Sequence, residues 1–509
     1  MKGKILTIKH LWGGVFAIAA LMLGVSCVDG FDGNEQFETS VRNTTLVSPD
    51  AAGFKYTFVT TADGVEQLKV SWPVVHGAGG YQISVNDVTD AENTQSVVET
   101  TVVDGLTVQF EYADDRRYEF NVLTLGNEKL NNKGAEAPTL AYYTTGGESV
   151  AVPASNKDLG KFIADYLAAN AESLAQKRAE DPNFEVAFDI EAGAEYTYDT
   201  PVDIGLQSIR LRNMSETNHT TIKVSTPIET QAGLRAKNIN FDCADGISAL
   251  IAFSDEPDES ISTAALGYKN DGANQDGFII EKPIILENCW VKNLTNSLIW
   301  GQKKNWSLRD FRILNCIIQL NNSGSATFLD LSGASNGLIK EMTIKNSTIY
   351  NLAENNSAYF IRFSNASNAQ PQKIFGDSQK SITHRIEDCT IVRVFTAKDF
   401  ANNMPTVNTM TDYVSNVLFC DVFRLYQYIL NNHTRYTENN VMWYHKTSPQ
   451  SNDYGGRTDS NGNPFTVLEE EKFFDPETLK ELDFSQPNGG ANFHANSAIS
   501  SNIGDPRWR

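Results

Sequence analysis

The chain has 509 residues, more than one hydrophobic core usually supports, so it must divide into domains or repeat a unit. Its formal net charge of −21 excludes a nucleic-acid partner and simple electrostatic capture of a polyanion; an acidic ligand needs a local basic patch or bound Ca²⁺. No HExxH or P-loop stretch occurs, which removes zincins and P-loop phosphate chemistry.

The opening "MKGKILTIKHLWGGVFAIAALMLGVSC" carries three lysines and then an uncharged apolar run of about 13 residues, a signal-peptide core too short to span a bilayer. The run stops at Cys27, preceded by Leu23, Gly24, Val25 and Ser26, which resembles the lipobox of bacterial lipoproteins with the usual leucine displaced by one place. Asp29, Asp32, Glu35 and Glu38 follow, similar to the acidic tract that directs lipoproteins of Bacteroidetes-type bacteria to the outer face of the outer membrane. The resemblance implies a signal peptide over 1–26, acylation of Cys27, an acidic tether over 27–43 and a lipid-anchored protein facing the cell exterior.

Residues 44–146 alternate apolar and polar positions in short runs with turn residues between them, the pattern of an antiparallel sandwich. "LKVSWPVVHGAGGYQISV" puts Trp72 on one strand and Tyr81 at the start of the next, and "RRYEFNV" puts Tyr118, Phe120 and Val122 on one face. These stretches resemble a fibronectin type III domain, which implies a spacer. A helix is expected over 157–179, with Leu159, Phe162, Ile163, Tyr166 and Leu167 at helical spacing.

From residue 150 onward one phrase recurs: "IILENCWV" at 284–291, "RILNCII" at 312–318, "MTIKNSTI" at 342–349 and "HRIEDCTI" at 384–391. Aligned on Asn288, Asn315, Asn346 and Asp388, with weaker matches at Asn238 and Asn439, the repeats place Leu286, Ile313, Ile344 and Ile386 two positions earlier and Val291, Ile318, Ile349 and Ile391 three later. Coils of a β-helix need roughly 20–30 residues each, so the phrase marks one strand and one corner of a coil, with aliphatics stacking as a core and the Asn side chains bonding from coil to coil. The gap after Asp388 leaves room for a further coil at "YVSNVLFCDVFRLYQYI". The helix-then-strands entry, with "AGAEYTY", resembles right-handed β-helix proteins of the pectin-lyase type. With the closing "GDPRW", the chain resembles an uncharacterised family of Bacteroidetes lipoproteins that join a fibronectin-like module to a pectate-lyase-like β-helix. The expected class is therefore all-β: a sandwich, then a right-handed parallel β-helix over 150–509.

Cys243, Cys289, Cys316, Cys389 and Cys420 are odd in number and lack CxxC spacing, which points to buried fillers and away from zinc or a disulfide framework. His384, His433 and His445 have no spaced partners and are taken as polar coil residues.

Chemistry is expected on the second strand of each coil, "LIWGQ", "FLDLS" and "FIRFS". Period-two alternation turns Ile299, Leu329 and Ile361 inward and displays two outward rows: Leu298, Phe328 and Phe360, and Trp300, Asp330 and Arg362. Lys303, Lys304 and Trp306 follow in the loop. Aromatic faces cover the C–H face of a pyranose while charged groups take its hydroxyls or carboxylate, so Trp300, Asp330, Phe328, Phe360, Lys304 and Trp306 are candidate binders of a polysaccharide. If the resemblance to pectate lyases extends to activity, β-elimination on a uronate needs a cation at the carboxylate and a base for the C5 proton, with Arg362 and Lys303 the candidates. Ca²⁺ is a conceivable cofactor, yet only Asp330 is well placed to ligate it, and the clustered aspartates and the R-x-P-x-x-R segment of pectate lyases are missing. A non-catalytic glycan binder that hands polymer to an uptake complex, or an adhesin, is the alternative. The insertions at 254–279 and 365–381 are expected to wall the groove.

Overall fold

The structure, a computed structural model, describes residues 41–425 except 61–65, 90–93, 114, 146–147, 183, 269–276, 334–336, 365–373, 377–380 and 406–409; beyond them it describes 434–437, 442–443, 460, 462, 466–467, 479–494 and 503–509. The leader, Cys27, His433, Asn439 and His445 lie outside the described residues.

The first unit is a two-layer antiparallel sandwich of a three-stranded and a four-stranded sheet. Alternation works as the sequence suggests: Tyr118, Phe120 and Val122 are buried along Arg117–Thr124, and Trp72 meets Tyr81 edge-on at 5.7 Å between ring centres. Strand Thr139–Thr144 leads to Glu148–Val152, which pairs parallel with Val186–Ile190, so the chain passes from the sandwich straight into the second unit.

That unit is a parallel β-helix of three long sheets, here called I (eleven strands), II (ten) and III (seven) among the described residues. Each coil visits them in turn, as in Ile284–Glu287, Trp290–Leu294 and Ser297–Trp300. Parallel pairing puts Leu286 beside Ile313, Ile313 beside Ile344 and Ile344 beside Ile386 in sheet I, while Val291, Ile318, Ile349 and Ile391 line up in sheet II. These aliphatics belong to one continuous buried cluster running up the helix, the reason stacked coils are stable where a single coil is not. The further coil after Asp388 is present as Met410–Ser415 and Leu418–Cys420.

The corner between sheets I and II explains the repeated phrase. Asn238, Asn288, Asn315, Asn346, Asp388 and Asn416 all have φ between 49° and 56°, the left-handed region that Asn and Asp tolerate because their short side chains bond locally. Asn416 is a further rung, directly above Asp388, that the repeated phrase did not pick out. Asn288 Nδ2 donates to Asn238 Oδ1 (2.8 Å), Asn315 Nδ2 to Asn288 Oδ1 (3.2 Å) and Asn416 Nδ2 to Asp388 Oδ1 (2.9 Å). The next residue locks the bend: the Cys289, Cys316 and Cys389 thiols and the Ser347 hydroxyl reach the carbonyl two residues back at 3.3, 3.3, 3.0 and 2.7 Å. The cysteines are thus buried corner donors as well as fillers.

The lower end is capped by α1 (Leu159–Ala169), which buries Leu159 and Ile163 and sets Tyr166 edge-on to Phe188 at 5.5 Å. The expected single helix is two. Asn170 ends α1 by returning its Nδ2 to Tyr166 O (2.8 Å), and α2 (Ala171–Glu180) starts afresh.

Two features had no counterpart in the repeat pattern. A buried ionic junction fixes the sandwich to the first coils: Asp115 accepts from Arg210 Nη1 (2.9 Å) and Arg212 Nη1 (2.8 Å), while Arg210 also pairs with Glu185 and Arg212 with Asp189. Asp115 is presented by a loop tied at Ala113, whose N–H donates to the Tyr118 hydroxyl (2.8 Å) and whose carbonyl accepts from Thr145 Oγ1 (2.8 Å). Second, the segment 479–494 and residues 503–509 cover the outer face of sheet II, with Leu482, Phe493, Ile503 and Trp508 packing on Ile317, Tyr350, Val392 and Leu418. Within "GDPRW", Arg507 donates to the carbonyls of Asn315 (3.1 Å), Cys316 (2.6 Å) and Asn346 (3.0 Å), and Trp508 Nε1 donates to Thr348 Oγ1 (2.7 Å). The strap clasps the ladder corner.

Asn315 is exposed and serves as the turn and as Arg507's acceptor, so its rung lies at the surface. Asn315→Leu should cost about 1–2 kcal/mol from left-handed strain, whereas Asn315→Gly should melt close to the parent; equal melting of the Leu variant would remove the conformational explanation. Trp508→Ala should cost about 3 kcal/mol through loss of a buried aromatic, read as a lower melting temperature. Burial by itself would raise the Asp115 carboxyl, but Arg210 and Arg212 outweigh it and hold it below the usual carboxylate range. A carboxylate so depressed stabilises the fold above its unfolded pKa and stops doing so as pH falls through the folded one, so the parent should lose stability below about pH 4. Asp115→Asn should lose about 3 kcal/mol at neutral pH and show a flatter acid limb; a variant that melts like the parent at both pH values would show that the junction does not hold the sandwich.

Candidate functional site

Sheet III carries the candidate residues on strands Ser297–Trp300, Leu329–Asp330 and Ile361–Arg362. Pairing aligns Trp300 with Asp330 and Asp330 with Arg362, and extends the row to Ala252 and Glu229 below and Asn402 above. Neighbouring rungs are about 4.8 Å apart. Trp300, Asp330 and Arg362 are all half-buried.

The second expected row does not exist. Leu298, Phe328 and Phe360 are 0, 2 and 0% exposed and face the core. The N–H groups of Leu298 and Ile299 both point at Phe328 O (2.9 and 3.3 Å), and those of Phe360 and Ile361 both at Phe400 O (2.9 and 3.0 Å). Two successive donors on one carbonyl make a bulge-like corner that breaks period two, so consecutive residues both turn inward. Phe360 stacks on Phe400 at 4.8 Å and lies 4.9 Å from Phe328, forming an internal aromatic column. Trp306 is likewise internal: it begins Trp306–Leu314, donates Nε1 to Ser254 O (3.0 Å) and packs against Phe253 and Phe278, both at 5.6 Å. Phe328, Phe360 and Trp306 are therefore removed as binding candidates.

Asp330 Oδ1 caps its own turn by accepting from Ser332 N–H (2.9 Å). The Arg362 guanidinium lies over the Tyr359 ring at 5.8 Å, its Nε is buried without a hydrogen-bond partner, and among the described residues no ion pair joins it to Asp330. Lys303 and Lys304 are exposed in the turn that follows Trp300. A Cβ at Gly333 would lie 2.8 Å from Lys303 Cγ, so the lysine stem lies across the glycine of the next coil, just past Asp330. Glu229, which sequence reasoning missed because its coil lacks the repeated phrase, lies on the same row with Asp203 one rung below. Burial, then the Asp203 carboxylate, push Glu229 upward, and Gln302 Nε2 donates to its Oε2 (3.1 Å).

The loops at the two ends of these strands differ. At the strand ends, the described parts of the two insertions bring Tyr268 and Phe375 together around Arg309, whose guanidinium lies 5.7 and 5.1 Å from their rings. The insertions thus meet at the corner between sheets III and I. At the strand starts, the corner between sheets II and III holds a polar cleft of about 540 Å³. His384 is fully buried, its Nε2 at 2.9 Å from Ile339 O, and belongs to the core. Among the described residues no three His, Cys, Asp or Glu side chains gather as a metal set.

Fold and site together define the class: a parallel β-helix with a β-sandwich docked at its lower end and a charged, aromatic-bearing row on one sheet. Residues 1–193 match a domain of unknown function, DUF4992, and residues 194–352 match a second domain of unknown function, DUF4957. No curated protein matches the chain. Among solved structures, a crystal structure of the pectate lyase Pel3 from Pectobacterium carotovorum is similar over 77% of this chain and 86% of its own, at 9% identity and a TM-score of 0.13. The β-helix itself is established by the strand pairing.

Core and surface rows respond differently to truncation. Phe360→Ala should lose about 3–5 kcal/mol of stability, whereas Trp300→Ala should leave the melting temperature within about 1–2 °C of the parent. A similar loss in both variants would place the Trp300 ring in the core.

Proposed function

We propose that the protein is an exported, lipid-anchored surface protein that engages a polysaccharide along the outer face of sheet III, with the sandwich serving as a fibronectin type III-like spacer. The observation that carries this reading is the half-buried Arg362 guanidinium, aligned with Asp330 and Trp300 yet not ion-paired to Asp330. An arginine held this way is a receptor for a planar anion such as a sugar carboxylate, and an aromatic two rungs away suits the C–H face of the next ring. Lys303 and Lys304 in the turn after Trp300 add cations beside Arg362 on an otherwise acidic chain, which favours local recognition over bulk attraction. Anchorage rests on the lipobox-like "LGVSC" and the acidic run after it, and the bound polymer would pass to an uptake complex in the outer membrane. The second reading is β-elimination on a uronate. It is favoured by Lys303, a base candidate on the exposed turn beside Asp330, with Arg362 at the carboxylate; any Ca²⁺ would have to be held largely by the substrate.

Trp300→Ala and Arg362→Ala should each weaken retention on an acidic-polysaccharide gel about tenfold, close to 1.4 kcal/mol, without unfolding. If the protein is a lyase, ultraviolet absorbance of an unsaturated product should appear with the parent, and Lys303→Ala should abolish turnover while leaving retention intact. Parent-like retention by both row variants would overturn the reading. Cys27→Ala should move the protein from the membrane to the soluble fraction; unchanged fractionation would remove the lipid anchor.

A further inference from the structure

The corner between sheets II and III varies in length along the helix. Five residues, 244–248, join strand Ile239–Cys243 to Ala249–Phe253; two, 295–296, join Trp290–Leu294 to Ser297–Trp300; eight, 321–328, join Ile317–Leu320 to Leu329–Asp330. The long turn overhangs the short one, and the step between them is the cleft of about 540 Å³ that includes Asp245, Thr295, Asn296, Asn321 and Ser325 in its lining.

Part of this lining is tied down. Asn296 Nδ2 donates to Ile247 O (2.6 Å), and Gly246 N–H donates to Thr295 Oγ1 (3.2 Å). Asn322, 4% exposed, closes the long turn on itself through Gly324 N–H (2.9 Å) and Ala326 O (2.7 Å), and is held from the next coil by the Asn351 side chain at 3.0 and 2.8 Å. The rest is uncommitted: among the described residues the side chains of Asn321, Ser323, Ser325 and Asp245 make no hydrogen bond. The floor is therefore fixed, while the exposed polar groups above it are free to turn toward a ligand.

The lining also narrows the ligand. It contains no Lys or Arg, so it offers nothing to a carboxylate or phosphate, and no aromatic ring for a flat base. One carboxylate falls short of a metal set. Amides and hydroxyls that donate and accept in equal measure match the neighbouring hydroxyls of an uncharged sugar. Strand Ser297–Trp300 separates the cleft from the Trp300 end of the row by roughly 10 Å, a disaccharide's length.

We propose that this cleft is a neutral-sugar subsite, so that the polysaccharide recognised is mixed, carrying uncharged residues within a disaccharide of its acidic ones. The proposal rests on the sheet III reading. It is tested with the full chain on an array of neutral polymers (xylan, mannan, galactan), uronate polymers (polygalacturonate, alginate) and mixed polymers (glucuronoxylan, rhamnogalacturonan). The parent should bind a mixed polymer at least about tenfold more tightly than any pure one. Ser325→Trp, which fills the cleft from an exposed turn, and Asn321→Ala should cut mixed-polymer affinity to the uronate-only level while leaving uronate binding and melting temperature unchanged; Arg362→Ala should cut the uronate contribution instead. Parent-like mixed-polymer binding by both cleft variants, together with a loss in Arg362→Ala, overturns the cleft and leaves the sheet III reading standing. Loss in the cleft variants with Arg362→Ala unaffected overturns the sheet III reading and leaves the cleft. A parent that binds no neutral or mixed polymer overturns the cleft outright.

Discussion

Everything above the first coils depends on one bend, the left-handed corner between sheets I and II. A parallel coil must change direction without stranding its backbone groups, and a single residue at φ near 50° does this in the shortest length of chain. Asn and Asp supply that conformation, and the thiol or hydroxyl that follows satisfies the carbonyl left at the end of strand I. Because the coils from Asn238 to Asn416 bend at the same point, Leu286, Ile313, Ile344 and Ile386 fall into register and the core becomes continuous. Registers of sheets II and III, and so the Trp300, Asp330, Arg362 row, follow from it.

This corner was legible in the sequence because it is local: aliphatic, spacer, Asn, Cys, spacer, aliphatic within a few residues. The other corner was not. Between sheets II and III the turns run from two residues to nine, and two successive N–H groups share one carbonyl at Leu298 and Ile299 and again at Phe360 and Ile361, so strand alternation misassigned Leu298 and Phe360, and Phe328 stacked between them, while placing Trp300, Asp330 and Arg362 on the outer row. Trp306 was misassigned because it follows a charged loop yet begins a long strand of sheet I. Asp115 with Arg210 and Arg212, and Arg507 with Cys316, are separated by 95, 97 and 191 residues, and no local pattern announces such pairs. Glu229 was invisible for a related reason: its place on the row is fixed by register with Ala252, not by any phrase around it.

The division of labour within a coil is now plain. From Asn238 upward the corner between sheets I and II is uniform and structural, and the strap occupies it from outside through Arg507. Sheet III and its two flanking corners are irregular, with insertions at one edge and a stepped polar cleft at the other. Variation is confined to the side of the helix where the outward row is charged, which is where a rigid scaffold can carry recognition without disturbing its own register.

The ladder also bears on how the molecule ages. Amide side chains hydrolyse slowly to carboxylates, and the rung at Asp388 shows what such a change leaves behind: the left-handed bend persists, and Oδ1 is still met by Asn416 Nδ2 at 2.9 Å and by Arg509. What the stack cannot absorb is two carboxylates on neighbouring rungs, since neither retains a donor and oxygen would face oxygen across one strand spacing. Deamidation at Asn346, one rung below Asp388, would create that pair, whereas the same change at Asn288 would leave Asn238 and Asn315 on either side of it still amides. Chemical wear in this protein is therefore a question of position along the ladder, and the rung beneath Asp388 is the one with least to spare.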